Sequence, residues 1–273
     1  MADRTARRRH SAFAAGLATV VMTATLAIAP AQAADKTRYF ALGDSYAAGQ
    51  GAGPYLDTCY RSENAYSELA EDAKPNKPVE NVACSGNTTQ HVVDFQLSGL
   101  NKSTKLVTIT AGGNNIGFGN IIVSCSAAFV GATTGQECEA ASTFAASQIL
   151  SRQLYRDLVS MIEHVQAAAP KARIVVTGYP YLLDPIPAGQ TDALSLFIYK
   201  ATELSDGLNS TISQAADHTG ATYIDVRPAF LGHGALSQDR WINFGTAESP
   251  DSFHPNAKGY EAYYSVLRAA HVY

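Results

Sequence analysis

Read only for hydrophobic and polar positions, the chain switches between two periods. Short apolar, β-branched runs stand at 38–42, 79–83, 105–110, 173–177 and 221–226. Each has the length of a buried strand. Between most of them the apolar positions recur every three or four residues instead. Ile149, Leu150, Leu154, Leu158, Ile162 and Val165 mark one long helix that Pro170 ends. Asn64 is placed to cap a helix running through Ala73, and 194–216 and 257–270 predict two more. Strands alternating with helices predict an α/β fold: a mostly parallel five-stranded sheet covered on both faces, a three-layer sandwich.

The first 33 residues stand outside this alternation. Arg4, Arg7, Arg8 and Arg9 precede an apolar stretch from Ala12 to about Ala29, and Ala31-Gln32-Ala33 closes it. That is the pattern of a secretory signal peptide. A membrane anchor is the competing reading. Gly16, Thr19, Thr23 and Thr25 interrupt the run and no positive flank follows it, so cleavage near Ala33 or Ala34 and secretion are expected. The adjacent arginines leave a twin-arginine export route open. No later segment approaches the ~20 apolar residues of a bilayer crossing, which speaks against a stable membrane anchor. Residues 34–273, without an internal repeat or long linker, read as a single domain.

Residues 1–33 carry four basic and one acidic residue, so their removal moves the formal net charge from −4 to −7. Such a chain is a poor partner for nucleic acid. Cys59, Cys84, Cys125 and Cys138 are an even count in an exported chain and predict two disulfides. Of the three pairings, the local ones, Cys59 with Cys84 and Cys125 with Cys138, are expected. No CxxC spacing supports zinc.

In an open parallel sheet the loops leaving the carboxyl ends of the strands converge on one crevice. The first run is followed by Gly43-Asp44-Ser45, the second by Cys84-Ser85-Gly86-Asn87 and the third by Gly112-Gly113-Asn114-Asn115. Taken singly, each is an ordinary polar turn. Asp251-Ser252-Phe253-His254-Pro255 lies just before the last helix; His91, His164, His218, His233 and His271 have no such neighbour and read as surface or structural. Together these ends supply what nucleophilic catalysis by serine needs: a hydroxyl, a base, a group to orient the base, and donors for an oxyanion. Asp251 and His254 are three apart, so a carboxylate can turn back onto the ring; a backbone carbonyl of the same loop is the alternative. The G-x-S-x-G elbow is absent, since Ala47 stands two after Ser45.

This ordered set resembles the SGNH hydrolases, the GDSL lipase and esterase family, and within it the secreted actinomycete branch. FALGDSY, ACSGNTT, TITAGGNN and DSFHPNAKGY carry the likeness across the mature chain. The resemblance implies a flavodoxin-like sandwich with Ser45 as nucleophile, His254 as base and Asp251 holding the imidazole. It also implies an oxyanion hole from the backbone N–H groups of Ser45 and Gly86 and the side-chain amide of Asn114, with Asp44 as a structural residue. Two features depart from the family. Asn115 stands where Asp is usual, and the third disulfide of many relatives is missing, which predicts a more mobile loop around 230–234.

The leading expectation is thus a secreted hydrolase of carboxylic esters, a lipase or esterase or a phospholipid acyl hydrolase, working through an acyl-enzyme on Ser45. The alternative within enzymes is a polysaccharide O-acetyl esterase. A metal-dependent phosphoesterase built on Asp44, Asn114 and His254, or a non-catalytic binding module, are the remote ones. No cofactor is implied; the partner is a small-molecule or lipid ester, and the default assembly is a monomer. The apolar residues Phe118, Ile121, Ile122, Val123, Phe129 and Val130 of the least regular stretch, 118–141, fit either a helix packed on the core or the lining of an acyl pocket.

Overall fold

The computed structural model describes residues 39–73, 78–129, 135–245 and 249–273; the leader and its cleavage site lie outside them. Five strands, β1 (Tyr39–Gly43), β2 (Val79–Asn81), β3 (Leu106–Thr110), β4 (Arg173–Thr177) and β5 (Thr222–Ile224), form one parallel sheet in the order β2-β1-β3-β4-β5. Among the described residues the helices are α1 (Ser45–Ala48), α2 (Tyr66–Ala73), α3 (Thr89–Phe95), α4 (Phe118–Phe129), α5 (Gln136–Leu150), α6 (Gln153–Ala168), α7 (Ala193–Thr219), α8 (Arg227–Phe230) and α9 (Ala257–Ala269). A 3-10 turn, Asn114–Ile116, precedes α4. This is the expected α/β sandwich. Strands β2 and β5 keep only three residues each because they are the edges, paired on one side only.

Strand β3 shows how the sheet serves two layers, since successive side chains of a strand face opposite ways. Val107 and Ile109 join Phe40, Leu42, the α6 residues Leu154, Leu158, Ile162 and Val165, and Leu208 and Ile212 of α7. Thr108 and Thr110 join the other layer, where tyrosines of β1, α2 and α9 end in hydroxyls that need partners. Tyr39 Oη lies 3.0 Å from Thr108 Oγ1, Tyr66 Oη 3.0 Å from Thr110 Oγ1, and Tyr263 Oη donates to Thr177 Oγ1 at 3.0 Å. Each unpaired hydroxyl there would cost about 1–3 kcal/mol.

Two expected helices are corrected. The apolar run from Ile149 to Val165 is not one helix: α5 ends at Leu150, α6 starts at Gln153, and Arg152 between them is left-handed (φ 59). Both helices pack on α7, so the apolar periodicity continues through a change of direction that neither Gly nor Pro announces. Asn64 does not cap α2 either. Its amide donates to the carbonyls of Ala52 (2.6 Å) and Gly53 (3.1 Å), tying down the loop after α1. Disulfides join Cys59 to Cys84 and Cys125 to Cys138, the latter linking α4 to α5. The loop at 232–237 is pinned by the Asp184 carboxylate, which accepts from Gly232 N (2.7 Å), Gly234 N (3.1 Å) and Ser237 Oγ.

The sheet order reverses at β1, whose neighbours are β2 on one side and β3 on the other. The chain therefore leaves β1 and β3 in diverging directions, and a crevice opens at their carboxyl ends.

Candidate active site

The end of β1 is pressed against β3. A Cβ on Gly43 (φ +128) would lie 2.0 Å from Thr110 O, so only glycine permits the approach, and Asp44 N donates to that same carbonyl at 2.9 Å. Gln96, just past α3, grips Gly43 from the other side: its Oε1 accepts the Gly43 N–H (2.7 Å) and its Nε2 donates to Gly43 O (2.8 Å). Asp44 then caps α1, accepting the Tyr46 N–H at 3.0 Å. Ser45, 6% exposed, is thereby fixed as the first residue of a helix, where its own N–H has no intrahelical acceptor.

His254 arrives on the loop before α9. Its Nε2 lies 2.8 Å from Ser45 Oγ and its Nδ1 3.1 Å from the carbonyl oxygen of Ser252. A carbonyl can only accept, so Nδ1 carries the proton and Nε2 offers its lone pair to the serine hydroxyl, the tautomer a general base requires. Phe253, left-handed at φ 60, turns the chain back between the two partners. Its own backbone is held on both sides, by Asn243 O (2.9 Å) and by the Tyr46 hydroxyl, which donates to Phe253 O at 2.6 Å.

Asp251 stands beside this pair rather than in its hydrogen-bond chain. Its carboxylate accepts from Tyr55 Oη, and Tyr55 Oη accepts the Gly51 N–H at 2.9 Å. The orienting role expected of Asp251 is taken here by the Ser252 carbonyl, while the charge of Asp251 still favours the protonated ring. Burial outweighs both and holds His254 down to about 4.

The donors lie on the two flanking loops. Gly86 (φ +82) is exposed, with open space where a side chain would be, and its N–H has no acceptor among the described residues. Asn114 spends one amide hydrogen on Asn87 O (2.9 Å), which fixes the side chain and leaves the second hydrogen uncommitted among the described residues. Asn115, in place of the family's Asp, binds Thr89 through both ends of its amide (3.0 and 2.8 Å) and reaches Asp157 Oδ2 at 3.4 Å. A second carboxylate there would face Asp157 with like charge.

Four further residues complete the site: Tyr179, Tyr46, Gln50 and Gln96. Tyr179, in Gly178-Tyr179-Pro180 after β4, donates to Asp44 Oδ2 at 2.5 Å and accepts the Gly113 N–H at 3.0 Å, joining the nucleophile turn to the Asn114 loop. The end of β4 is a fourth strand end, and reading it beside the other three would have found this residue. Burial pushes Asp44 up to about 7 even against the two hydrogen bonds it accepts. Tyr46 packs its ring against those of His254 (5.2 Å between centroids), Tyr179 (5.0 Å) and Phe118 (6.3 Å). Gln50 and Gln96 are buried amides that only the tertiary structure reveals.

Behind Tyr46 and Gly113 lies an apolar cavity of about 70 Å³, walled by Phe118, Ile121 and Ile122 of α4 and by Leu204 and Leu208 of α7. A second, of about 40 Å³, continues between α4 and α7 as far as Phe197 and Phe253. Both readings of 118–141 meet here: α4 is a packed helix, and three of its residues line a cavity. A metal-ligand role for Asp44, Asn114 and His254 fits poorly. Asp44 is turned to Tyr46 N and Tyr179 Oη, and His254 Nε2 to Ser45.

Residues 41–262 match the model of the GDSL-like lipase/acylhydrolase family. The chain is 33% identical to the Lipase of Streptomyces rimosus, over 96% of this chain and 99% of that one, and 33% identical to Lipase 1 of Streptomyces coelicolor, over 97% and 99%. Among solved structures it is similar to phospholipase A1 from Streptomyces albidoflavus NA297 (TM-score 0.76, 34% identity, covering 85% of this chain and 98% of that one). It is also similar to the extracellular lipase of Streptomyces rimosus (TM-score 0.77, 31% identity, covering 86% and 99%). With the ordered Ser45, Gly86, Asn114 and His254 blocks gathered around one switch point, the chain belongs to the GDSL-like lipase/acylhydrolase family.

Proposed function

We propose that this protein is a secreted carboxylic ester hydrolase of the lipase and esterase type, acting as one domain after loss of its leader. The observation that carries the reading is the 2.8 Å contact between Ser45 Oγ and a correctly tautomerised His254, buried at the switch point of the sheet. Ser45 Oγ attacks the ester carbonyl while His254 Nε2 takes the hydroxyl proton; Nδ1–H stays on the Ser252 carbonyl, and the imidazolium is steadied by Asp251. The oxyanion is received by the N–H groups of Ser45 and Gly86 and the Asn114 amide. The alcohol departs with the proton from His254. Water, deprotonated by the same nitrogen, then releases the acid and restores Ser45.

The apolar cavity walled by Tyr46, the residue after Ser45, supports an acyl chain longer than acetyl as the natural substituent. The S. albidoflavus relative, named a phospholipase A1, brings phospholipid acyl esters into the proposed substrate range. Hydrolysis of acetyl, octanoyl and phospholipid esters by the wild type and by Ser45→Ala tests this. Cleavage that favours the longer acyl groups and vanishes in a folded Ser45→Ala is expected. A preference for acetylated sugar would move the assignment to O-acetyl esterase, and activity retained by Ser45→Ala would end it.

A further inference from the structure

Gln50 sits two residues beyond α1, is 4% exposed, and uses every polar atom it has. Its backbone N–H donates to Ser45 O at 3.0 Å and its carbonyl accepts from Tyr260 Oη at 2.8 Å. Its side chain reaches the other two loops of the site. Ser85 Oγ donates to Gln50 Oε1 at 2.5 Å, and Gln50 Nε2 donates to Pro250 O. Ser85 immediately precedes Gly86, and Pro250 immediately precedes Asp251. One buried amide therefore touches the nucleophile turn, the Gly86 loop and the His254 loop, which are far apart in sequence.

We propose that Gln50 is a positioning residue for this reaction, holding the Gly86 N–H in register with the Ser45–His254 pair. The inference rests on the function proposed above. Gly86 itself has open space where a Cβ would stand and no acceptor for its N–H among the described residues, so its direction is set by the residues on either side. On its N-terminal side Ser85 is tied by its N–H to Cys59 O (3.1 Å) and by its hydroxyl to Gln50 Oε1, the side-chain tie that reaches the nucleophile segment. The His254 loop has further ties to that same segment. Asn243 Nδ2 donates to Gly51 O at 2.8 Å, and a Cβ on Gly51 would lie 2.4 Å from Pro255 O. Loss of the Gln50 amide thus removes the side-chain tie between the Gly86 loop and the nucleophile segment, while the His254 loop keeps the Asn243 and Pro255 contacts to it. Only an amide can accept from Ser85 and donate to Pro250 at the same time; a methionine of similar length does neither.

The experiment compares Gln50→Met, Ser85→Ala and the double variant, using a p-nitrophenyl ester for kcat and KM and an alkyl boronic acid as a tetrahedral mimic bound to Ser45. An oxyanion donor left out of line should lower kcat of Gln50→Met about 10- to 100-fold, a fraction of what full loss of a donor costs, with KM within about twofold. The boronic acid should weaken by a similar factor. Ser85→Ala should lose part of the same activity, and the double variant should be no worse than Gln50→Met, because both cut one tie. Near-wild-type kcat in Gln50→Met, an unchanged boronate affinity beside a lowered kcat, or additive losses would each overturn the proposal. Should Gln50→Met not fold, Ser85→Ala decides alone: a lowered kcat with matching boronate loss and an unchanged melting curve supports it, and full activity refutes it. A wild type that cleaves no ester would instead sink the underlying function.

Discussion

His254 does its work from inside the fold. Burial holds the imidazole down to about 4, against the Ser252 carbonyl and the Asp251 charge, so the ring is neutral across the neutral range and ready to accept a proton. The acid limb of kcat/KM should accordingly be centred near 4 rather than near the 6.5 of a solvated ring, and a limb at 6.5 or above would contradict the account. Stability follows the same shift. As pH falls the unfolded chain takes up this proton near 6.5 and the folded chain only near 4. The contribution of His254 is therefore complete above 6.5 and is lost between 6.5 and 4, up to ~3 kcal/mol, which chemical denaturation at pH 7 and pH 4 would register. Among the donors, Asn114→Ala should lower kcat on the order of 10² to 10³ with the fold intact; a loss below tenfold removes Asn114 from the oxyanion hole. Ser45, Gly86, Asn114 and His254 were legible because each sits at a strand end or helix start with a small or polar neighbour. Tyr46 and Gln50 were not, since a buried tyrosine or glutamine has no sequence signature apart from its partners; Tyr179 carried one, its place at the end of β4. The Ser252 carbonyl was open only as an alternative, because backbone direction at a left-handed Phe253 is invisible in residue types.

At the scale of elements, α4 and α7 wall the apolar cavities that the proposed function assigns to the acyl chain. Ile121, Ile122, Leu182, Ala201 and Leu204 wall both cavities, and Ala201 is the small one among them. Ala201→Phe should fill the space beside the wall that the two cavities share. The expected result is kcat/KM for acetyl and butyryl esters within about twofold of wild type and at least a tenfold loss for decanoyl esters, the size of effect that steric exclusion from an apolar pocket gives. Equal loss at every chain length would show that Ala201 acts on the fold and not on the acyl chain. The elements themselves were mostly readable, because the strands are short runs rich in apolar and β-branched residues, and α9 and α7 carry helical periods. What escaped was direction and length. The α5–α6 break occurs at Arg152, a residue type that does not mark left-handed turns, and the edge strands β2 and β5 keep three residues each.

Over the whole molecule, the order β2-β1-β3-β4-β5 explains why residues from four distant segments meet. β1 delivers Ser45, the loop after β2 delivers Gly86, β3 delivers Asn114, and the lead-in to α9 delivers His254. The Cys125–Cys138 disulfide braces α4, one wall of the apolar cavity, against α5. Replacing both cysteines by serine should cost about 3 kcal/mol in denaturant unfolding, as expected for a loop of this size, while Ser45 remains reactive. Loss of less than about 1 kcal/mol would show that this bridge does not constrain the chain. The central claim, that a single buried serine carries the chemistry, is tested most directly by treating the protein with a fluorophosphonate and locating the adduct by peptide mass spectrometry. The account predicts one adduct, on Ser45, absent from Ser45→Ala and accompanied by complete loss of esterase activity; no adduct, or an adduct elsewhere with the same loss of activity, would contradict it.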